Sequence, residues 1–365
     1  MIPFFPPDLF TTDRDLLHTL LHEVGTDPGQ RFILGERVTR LERALSARLD
    51  GADVVACGSG TVALELILRA AGIGQGDEVI VPAFGCAPLA SAVIAAGAVP
   101  VFADVTPGSL TMDPQAAAAL ITPRTRALMP AHMFSVMADM PAFREIADAH
   151  GLRLIEDSAV AQGATLHGRP AGLWGDAGLF SFVQVKTFGG IGEGAVVVTT
   201  DPAIGAAVRM LRNHGQDGVT RFLHHRIGHN SRFDELMAGY LLHRLPTLDE
   251  RLDRRAAIGR YYTSRLTSPA VETPPATEDG RCYYVYNLLA GDRDRLRDHL
   301  AAHGVGTHAY YPAALPHQPA FAPWAAPRTG WPVAEDAARR CLALPIYPHL
   351  TDAQVEKIAD AVMAA

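Results

Sequence analysis

The sequence predicts an α/β protein with one large domain on a mostly parallel sheet and a smaller α/β domain after it. Three observations lead there. Between about residues 50 and 200, short apolar runs alternate with amphipathic stretches of helical period, which implies right-handed crossovers between parallel strands covered on both faces. After Pro202 that rhythm stops, and a Gly/His-rich loop and a long charged helical region follow. The chain has 365 residues, 48% hydrophobic and 19% charged, enough for more than one core and unlike a disordered or collagen-like composition.

Taken in order, residues 54–56 read as a strand that runs into Gly58-Ser59-Gly60-Thr61, and 62–71 as a helix with apolar residues at 63, 64, 67, 68 and 71. Further strands are expected at 78–81, 99–103, 126–130, 152–156, 178–182 and 195–199, which makes seven in the sheet. Helices are expected at 87–96 and 141–150, with a third capped by Asp113 that carries the alanine run 116–119. Beyond Pro202 come a helix at 202–213, a loop at 215–232 and one helical region at 234–265 whose charges read as a solvated face. A Pro/Thr-rich connection (267–277), a strand (283–289), a helix (293–303), an irregular segment (310–323) and a closing helix from Thr351 complete the chain. The expected division is an N-terminal arm and large domain at 1–245 and a small domain at 246–365.

Charge and composition narrow the function. The net charge of −7 and pI of about 6.1 argue against nucleic acid or an anionic membrane as partner. The longest apolar stretch, 87–103, is broken by Pro88, Ser91, Gly97 and Pro100, so no membrane span is expected. The first eight residues lack a basic region followed by an apolar one, so no signal peptide is read. Cys57, Cys86, Cys282 and Cys341 show no CxxC spacing, and the 15 histidines show no HxH or HExxH pattern; a reducing, cytoplasmic location and no metal are expected. Of the 32 Lys+Arg residues only Lys186 and Lys357 are lysine.

In parallel sheets ligands bind beyond the carboxyl ends of the strands. Ser59-Gly60-Thr61 offers backbone N–H groups at a helix start and suits a phosphate, although the same turn can be a simple cap by Thr61. Glu156-Asp157 ends an apolar strand, where the aspartate either caps the next segment or holds a buried cation. Lys186 follows the Phe180-Ser181-Phe182 strand and borders a loop with glycines at 189, 190, 192 and 194. Arginine cannot form an imine, so lysine is the residue that covalent chemistry with a carbonyl cofactor requires. Ile227-Gly228-His229-Asn230-Ser231-Arg232-Phe233 is a polar loop ahead of a helix. A phosphate cradle, an acid for a protonated ring nitrogen and an imine-forming lysine are what pyridoxal 5′-phosphate asks for.

These residues, with Leu34-Gly35-Glu36-Arg37-Val38, Gly76-Asp77-Glu78-Val79-Ile80-Val81-Pro82, Asn213-His214-Gly215 and Leu344-Pro345-Ile346-Tyr347, make the chain resemble the DegT/DnrJ/EryC1/StrS sugar aminotransferases. The resemblance spans nearly the whole chain and implies the aspartate-aminotransferase fold, PLP fold type I. It implies that Lys186 carries the cofactor and moves the proton, that Asp157 pairs with the pyridinium nitrogen, and that Gly60, Thr61 and Ser181 hold the phosphate. It further implies that Asn230 reaches the phosphate of a neighbouring subunit, in a homodimer with shared active sites. Three positions depart from the family pattern: Val160 stands where glutamine is usual, with Gln162 two residues on; Cys86 stands where an aromatic stacks on the ring, with Phe84 nearby; and Ser135 replaces a glycine. The resemblance therefore implies transfer of nitrogen from an amino acid, glutamate or glutamine, to a keto-sugar, commonly nucleotide-linked. A PLP enzyme of another reaction class (a dehydratase, a cyclitol or aminobenzoate-type synthase, or a lyase) and a non-catalytic ligand-binding member are the competing readings. Segment 305–321, with Tyr310, Tyr311 and His317, is expected to line the substrate side or to be a surface loop.

Overall fold

The repeating unit of the chain is an apolar run, a turn and a helix, and seven such runs meet in one sheet. The computed structural model describes residues 1–6, 11–134, 136–275, 279–281, 283–325 and 330–365; Ser135, Cys282, Thr277 and residues 7–8, all part of the sequence argument, lie outside them.

Two helices, α1 (Arg14–Gly25) and α2 (Glu36–Arg48), precede the sheet. The repeat then runs β1 (Asp53–Cys57), α3 (Gly60–Ala70), β2 (Glu78–Pro82), α4 (Pro88–Ala95), β3 (Val99–Ala103), α5 (Pro114–Ala118), β4 (Thr125–Leu128), α6 (Met140–His150) and β5 (Arg153–Asp157). A small hairpin, β6 (Thr165–Leu166) and β7 (Arg169–Pro170), leads to β8 (Ala177–Ser181) and β9 (Ala195–Thr199). The strand order is β1-β9-β8-β5-β4-β2-β3, and β9 runs antiparallel to both its neighbours while the other pairs are parallel. The exception has a local cause: residues 182–194 return the chain directly from β8 to β9 without a crossover helix, and a direct return is antiparallel. Because β9 alone is reversed, the carboxyl ends of β1, β2, β4, β5 and β8 open on the same edge.

Side chains alternate across this sheet as its pleat demands. Val55, Val79, Val81 and Val197 pack under α3 and α4, while Val54, Ile80, Val196 and Val198 pack on the face with α2, α6 and α8 (Glu235–Arg244). Both faces are covered, so the strands carry near-continuous apolar runs, as parallel sheets do.

After α7 (Pro202–Leu211), the helical region expected over 234–265 divides into α8 and α9 (Leu248–Arg265) at a short 3-10 turn, Leu245–Thr247. Pro246 in that turn has no N–H for a helical bond. The solvated-face reading of the charges also needs correction at two residues, because Glu235 and Arg255 are buried. A three-stranded antiparallel sheet follows, β10 (Val271–Glu272), β11 (Tyr286–Ala290) and β12 (Cys341–Leu344), with α10 (Arg293–Ala302), α11 (Ala322–Ala325), α12 (Pro332–Arg340) and α13 (Asp352–Met363) around it. Its core, with Ile258, Tyr262, Leu288, Leu300, Leu342 and Ile358, is separate from those of the large sheet.

Two contacts join this unit to the sheet edge. Asp104, just past β3, accepts from the N–H groups of Val333 (3.1 Å) and Ala334 (2.9 Å) in the first turn of α12, and the Trp331 indole donates to the Phe102 carbonyl at 2.9 Å. Asp104 thus acts as a helix cap supplied from far away in sequence. Asp104→Ala is expected to cost about 1–2 kcal/mol; urea unfolding should show a lower midpoint at unchanged slope. At the chain start, Ile2 pairs with the 304–306 segment (Ile2 N to Gly304 O, 2.6 Å; Gly306 N to Ile2 O, 2.9 Å), and the Phe4 ring lies 4.7 Å from His308 and 6.1 Å from Tyr310.

Candidate active site

A cavity of about 270 Å³ opens where the five strand ends converge. Gly60, Thr61, Cys86, Asp157, Val160, Ser181 and Lys186 all line it; Asn230 does not.

At one end lies the start of α3. The cap of this helix is Ser59, whose Oγ accepts from Val62 N at 3.3 Å, so the alternative of a cap by Thr61 is corrected by two residues. Thr61 is left exposed beside the helix N-terminus, where the backbone dipole favours an anion. Gly60 faces Ser181: a Cβ on Gly60 would lie 3.7 Å from the Ser181 Cβ and 3.8 Å from its Oγ, taking up space between the helix start and the hydroxyl.

Glu156 and Asp157 are neighbours at the end of β5 and point to opposite faces. Glu156 is fully buried and accepts from the N–H groups of Gly172 (2.9 Å), Gly175 (2.8 Å) and Trp174. Its fourth partner is His132 Nε2 at 3.2 Å. Ala138 N–H donates to His132 Nδ1 at 3.1 Å, so Nδ1 carries no proton and Nε2 is the donor to Glu156. Asp157 instead faces the cavity; its Oδ1 accepts from Ala159 N at 3.0 Å, the local cap among the sequence alternatives. Burial pushes its carboxyl pKa up, against the pull of the Ala159 N–H, Lys186 and His132.

Lys186 stands on the loop that turns β8 back into β9. Phe182 and Phe188 seal the loop beneath (ring centroids 5.7 Å apart), and a Cβ at Gly189 would collide with the Gln184 carbonyl, which is why glycine closes this turn. Burial lowers the Lys186 pKa, while Cys86, Asp157 and Glu193 pull it up. A lysine poised this way supplies a neutral amine more readily than an exposed one. The Cys86 thiol is pushed up in pKa by burial and by Asp157, and hydrogen-bonds to Tyr311. Lys357, by contrast, is exposed on α13.

The departures from the family pattern have distinct placements. Val160 lines the cavity as an apolar wall. Gln162 is buried away from it, with neither side-chain nitrogen nor oxygen partnered, so it does not stand in for the missing amide. Phe84 is buried under Tyr311 and Phe134 (5.9 and 6.2 Å) rather than in the cavity. Asn230 is exposed, its Oδ1 bound to Arg232 Nε at 2.9 Å. Of the segment expected on the substrate side, Tyr311 reaches the cavity, whereas His317 is engaged with Glu335 at 2.9 Å. Sequence reasoning missed His132, Glu193 and Tyr284 as cavity residues. Tyr284 approaches from the β11 side with no local motif around it. Among the described residues no helix is long and apolar enough to cross a membrane.

Comparison with known proteins bears on this geometry. The family model described as "DegT/DnrJ/EryC1/StrS aminotransferase family" matches residues 22–363. A dTDP-3-amino-3,4,6-trideoxy-alpha-D-glucose transaminase of Streptomyces venezuelae is 40% identical, over 91% of this chain and 88% of its own. A UDP-N-acetyl-3-dehydro-alpha-D-glucosamine 3-aminotransferase of Acidithiobacillus ferrooxidans is 39% identical, over 97% and 94%. Among solved structures, S. venezuelae DesV in complex with a ketimine intermediate superposes with a TM-score of 0.93 at 38% identity, over 99% of this chain and 98% of that one.

Proposed function

The chain belongs to the DegT/DnrJ/EryC1/StrS aminotransferase family, and from that premise we propose that it moves an amino group from glutamate or glutamine to the keto carbon of a nucleotide-linked sugar. It is an aminotransferase of PLP fold type I, and its cofactor is pyridoxal 5′-phosphate. The residues present fit that group: a desolvated amine, an acid with a carboxyl oxygen toward the cavity, and a helix start whose Gly60 leaves room beside the Ser181 hydroxyl. When bound, the cofactor supplies an electron sink for the carbon that loses its proton.

The chain's own residues divide the remaining work. Lys186 Nζ would hold the cofactor through its aldehyde carbon, and as a free amine it would be the base that takes a proton from the donor carbon and the acid that delivers one to the acceptor carbon. Asp157 keeps the ring nitrogen protonated. The backbone N–H groups at Gly60 and Thr61 and the Ser181 hydroxyl hold the phosphate, and Val160 and Cys86 form the walls against the ring. The observation that carries this reading is that lysine, aspartate and phosphate cradle line one cavity although they come from three separate strand ends. The names of the relatives at about 40% identity support a nucleotide-linked keto-sugar as acceptor; the setting proposed with it is secondary-metabolite or polysaccharide biosynthesis. The test is to mix the PLP-loaded protein with a panel of amino acids and follow conversion to the pyridoxamine form. Glutamate or glutamine should convert it, and a nucleotide-linked keto-sugar should restore it; no conversion with any donor overturns the proposal.

The enzyme works as a homodimer in the cytoplasm, with Asn230 completing the partner's phosphate site. In support, the loop carrying Asn230 exposes apolar side chains to an unusual degree: Val219 and Ile227 at 88% and Phe222 at 72%. Exposed apolar groups on one loop mark a surface that another chain covers. Phe222→Asp with Ile227→Asp should convert the dimer to an inactive monomer by sedimentation; an intact, active dimer overturns the assignment. A division at residues 245 and 246 is supported by the core of the small sheet, whose members other than Ile2 all lie from Ile258 onward.

A further inference from the structure

One neighbour of Lys186 has no task in the transfer described above. The lysine Nζ lies 4.4 Å from the centroid of the Tyr284 ring, inside the range in which a ring face attracts an ammonium. Tyr284 belongs to the segment entering β11, remote in sequence from the lysine loop, and its place is fixed from behind. Arg255 on α9 is buried and donates through Nη1 to the carbonyls of Tyr284 (3.1 Å), Tyr283 (3.4 Å) and Ile346 (2.6 Å). The Tyr284 hydroxyl hydrogen-bonds to Tyr310. A guanidinium withdrawn from water is costly unless such acceptors satisfy it. Here Nη1 grips the backbone on either side of the Tyr283–Tyr284 peptide, while Nε is left without a partner among the described residues.

We propose that Tyr284 is a positioning residue for Lys186: its ring face holds the amine, in the charged form, toward the Asp157 side of the cavity, and Arg255 fixes the ring. The groups facing Lys186 are Cys86 from the turn after β2, Asp157 from β5, Glu193 from the lysine's own loop and Tyr284, while on its other side Arg244 from α8, Arg251 and Arg255 from α9 and His349 line a second pocket with it. Asp157, Cys86 and Glu193 favour the ammonium and burial opposes it. The ring adds to the first set without adding charge.

The inference rests on the role given to Lys186, but its test reads the lysine itself and not turnover. The chain has two lysines, so the full-length protein labelled with carbon-13 at lysine Cε and prepared without cofactor gives two side-chain signals, and Lys357→Arg identifies the remaining one. Tyr284→Leu should lower the titration midpoint of Lys186 by about one pH unit. Tyr284→Phe, which keeps the face and loses only the hydroxyl, should leave the midpoint within a few tenths of a unit. If the leucine variant does not fold, pentafluorophenylalanine at 284 keeps the shape and inverts the charge of the face, and should lower the midpoint likewise. An unmoved midpoint in the leucine or fluorinated variant, or an equal fall in Tyr284→Phe, overturns the proposal. Shifted midpoints in a protein that no amino acid converts would sink the transaminase reading and leave this one standing.

Discussion

Lys186→Arg is expected to lower turnover by about four orders of magnitude or more while leaving stability almost unchanged. Arginine keeps the positive charge and much of the length, so the electrostatics toward Asp157 and Glu193 survive. It cannot lose a proton in the working range, so it offers neither a nucleophilic amine nor a base for the donor carbon. The substitution therefore separates charge from chemistry. Lys357→Arg is the control: that side chain is exposed on α13, and full activity is expected. Borohydride reduction followed by peptide mass spectrometry should place the cofactor on residue 186 in the parent and nowhere in Lys186→Arg. A variant that keeps more than about a hundredth of parental turnover contradicts the assignment, since proton transfer by a positioned group alone contributes 10²–10⁴.

The second large effect is on the fold. Glu156→Ala should cost about 3–5 kcal/mol, because it strips the shared acceptor from four donors that converge on a fully buried carboxylate. The N–H groups of Gly172, Trp174 and Gly175 and the His132 ring all converge on that one carboxylate. Its neighbour should behave in the opposite way. Asp157→Asn keeps size and the bond from Ala159 N, so its stability should change by less than about 1 kcal/mol. Turnover should nevertheless fall about a hundredfold or more, as it does when one preorganised electrostatic partner is lost. Urea unfolding and steady-state rates on the two variants give a crossed result; equal stability losses would mean that the two acids share a structural role.

That pair also shows what the sequence could and could not convey. As adjacent acids at a strand end they looked alike, yet strand alternation sends them to opposite faces, a distinction the two-residue period already contains. Lys186, Ser181 and Gly60 were legible because parallel sheets collect function at strand ends, so each sits in a short recognisable run. The seven strands were legible for a related reason: burial on both faces makes them apolar throughout. Tyr284 and Arg255 were not legible, since they reach the site from the far side of the molecule and their meaning lies in distances. α2 carries a helical period in the sequence as well: Val38, Leu41 and Leu45 mark its buried face within an otherwise charged run. α12 and β12 are a nine-residue and a four-residue piece joined without a turn signal, which leaves too little pattern for either period to stand out.

The pairing of Ile2 with residues 304–306 sets an order of events during synthesis. A ribosome adding about 5–20 residues per second delivers the partner segment only after roughly 15–60 s, so the first residues wait undocked while the large sheet forms around its own strands. Phe4, which follows Ile2, packs on His308 and Tyr310, the residue bonded to Tyr284. The tyrosine wall of the cavity is therefore among the last parts to be finished, and a nascent chain halted before residue 304 holds the lysine loop and Tyr284 but not Tyr310, the hydrogen-bond partner of that ring.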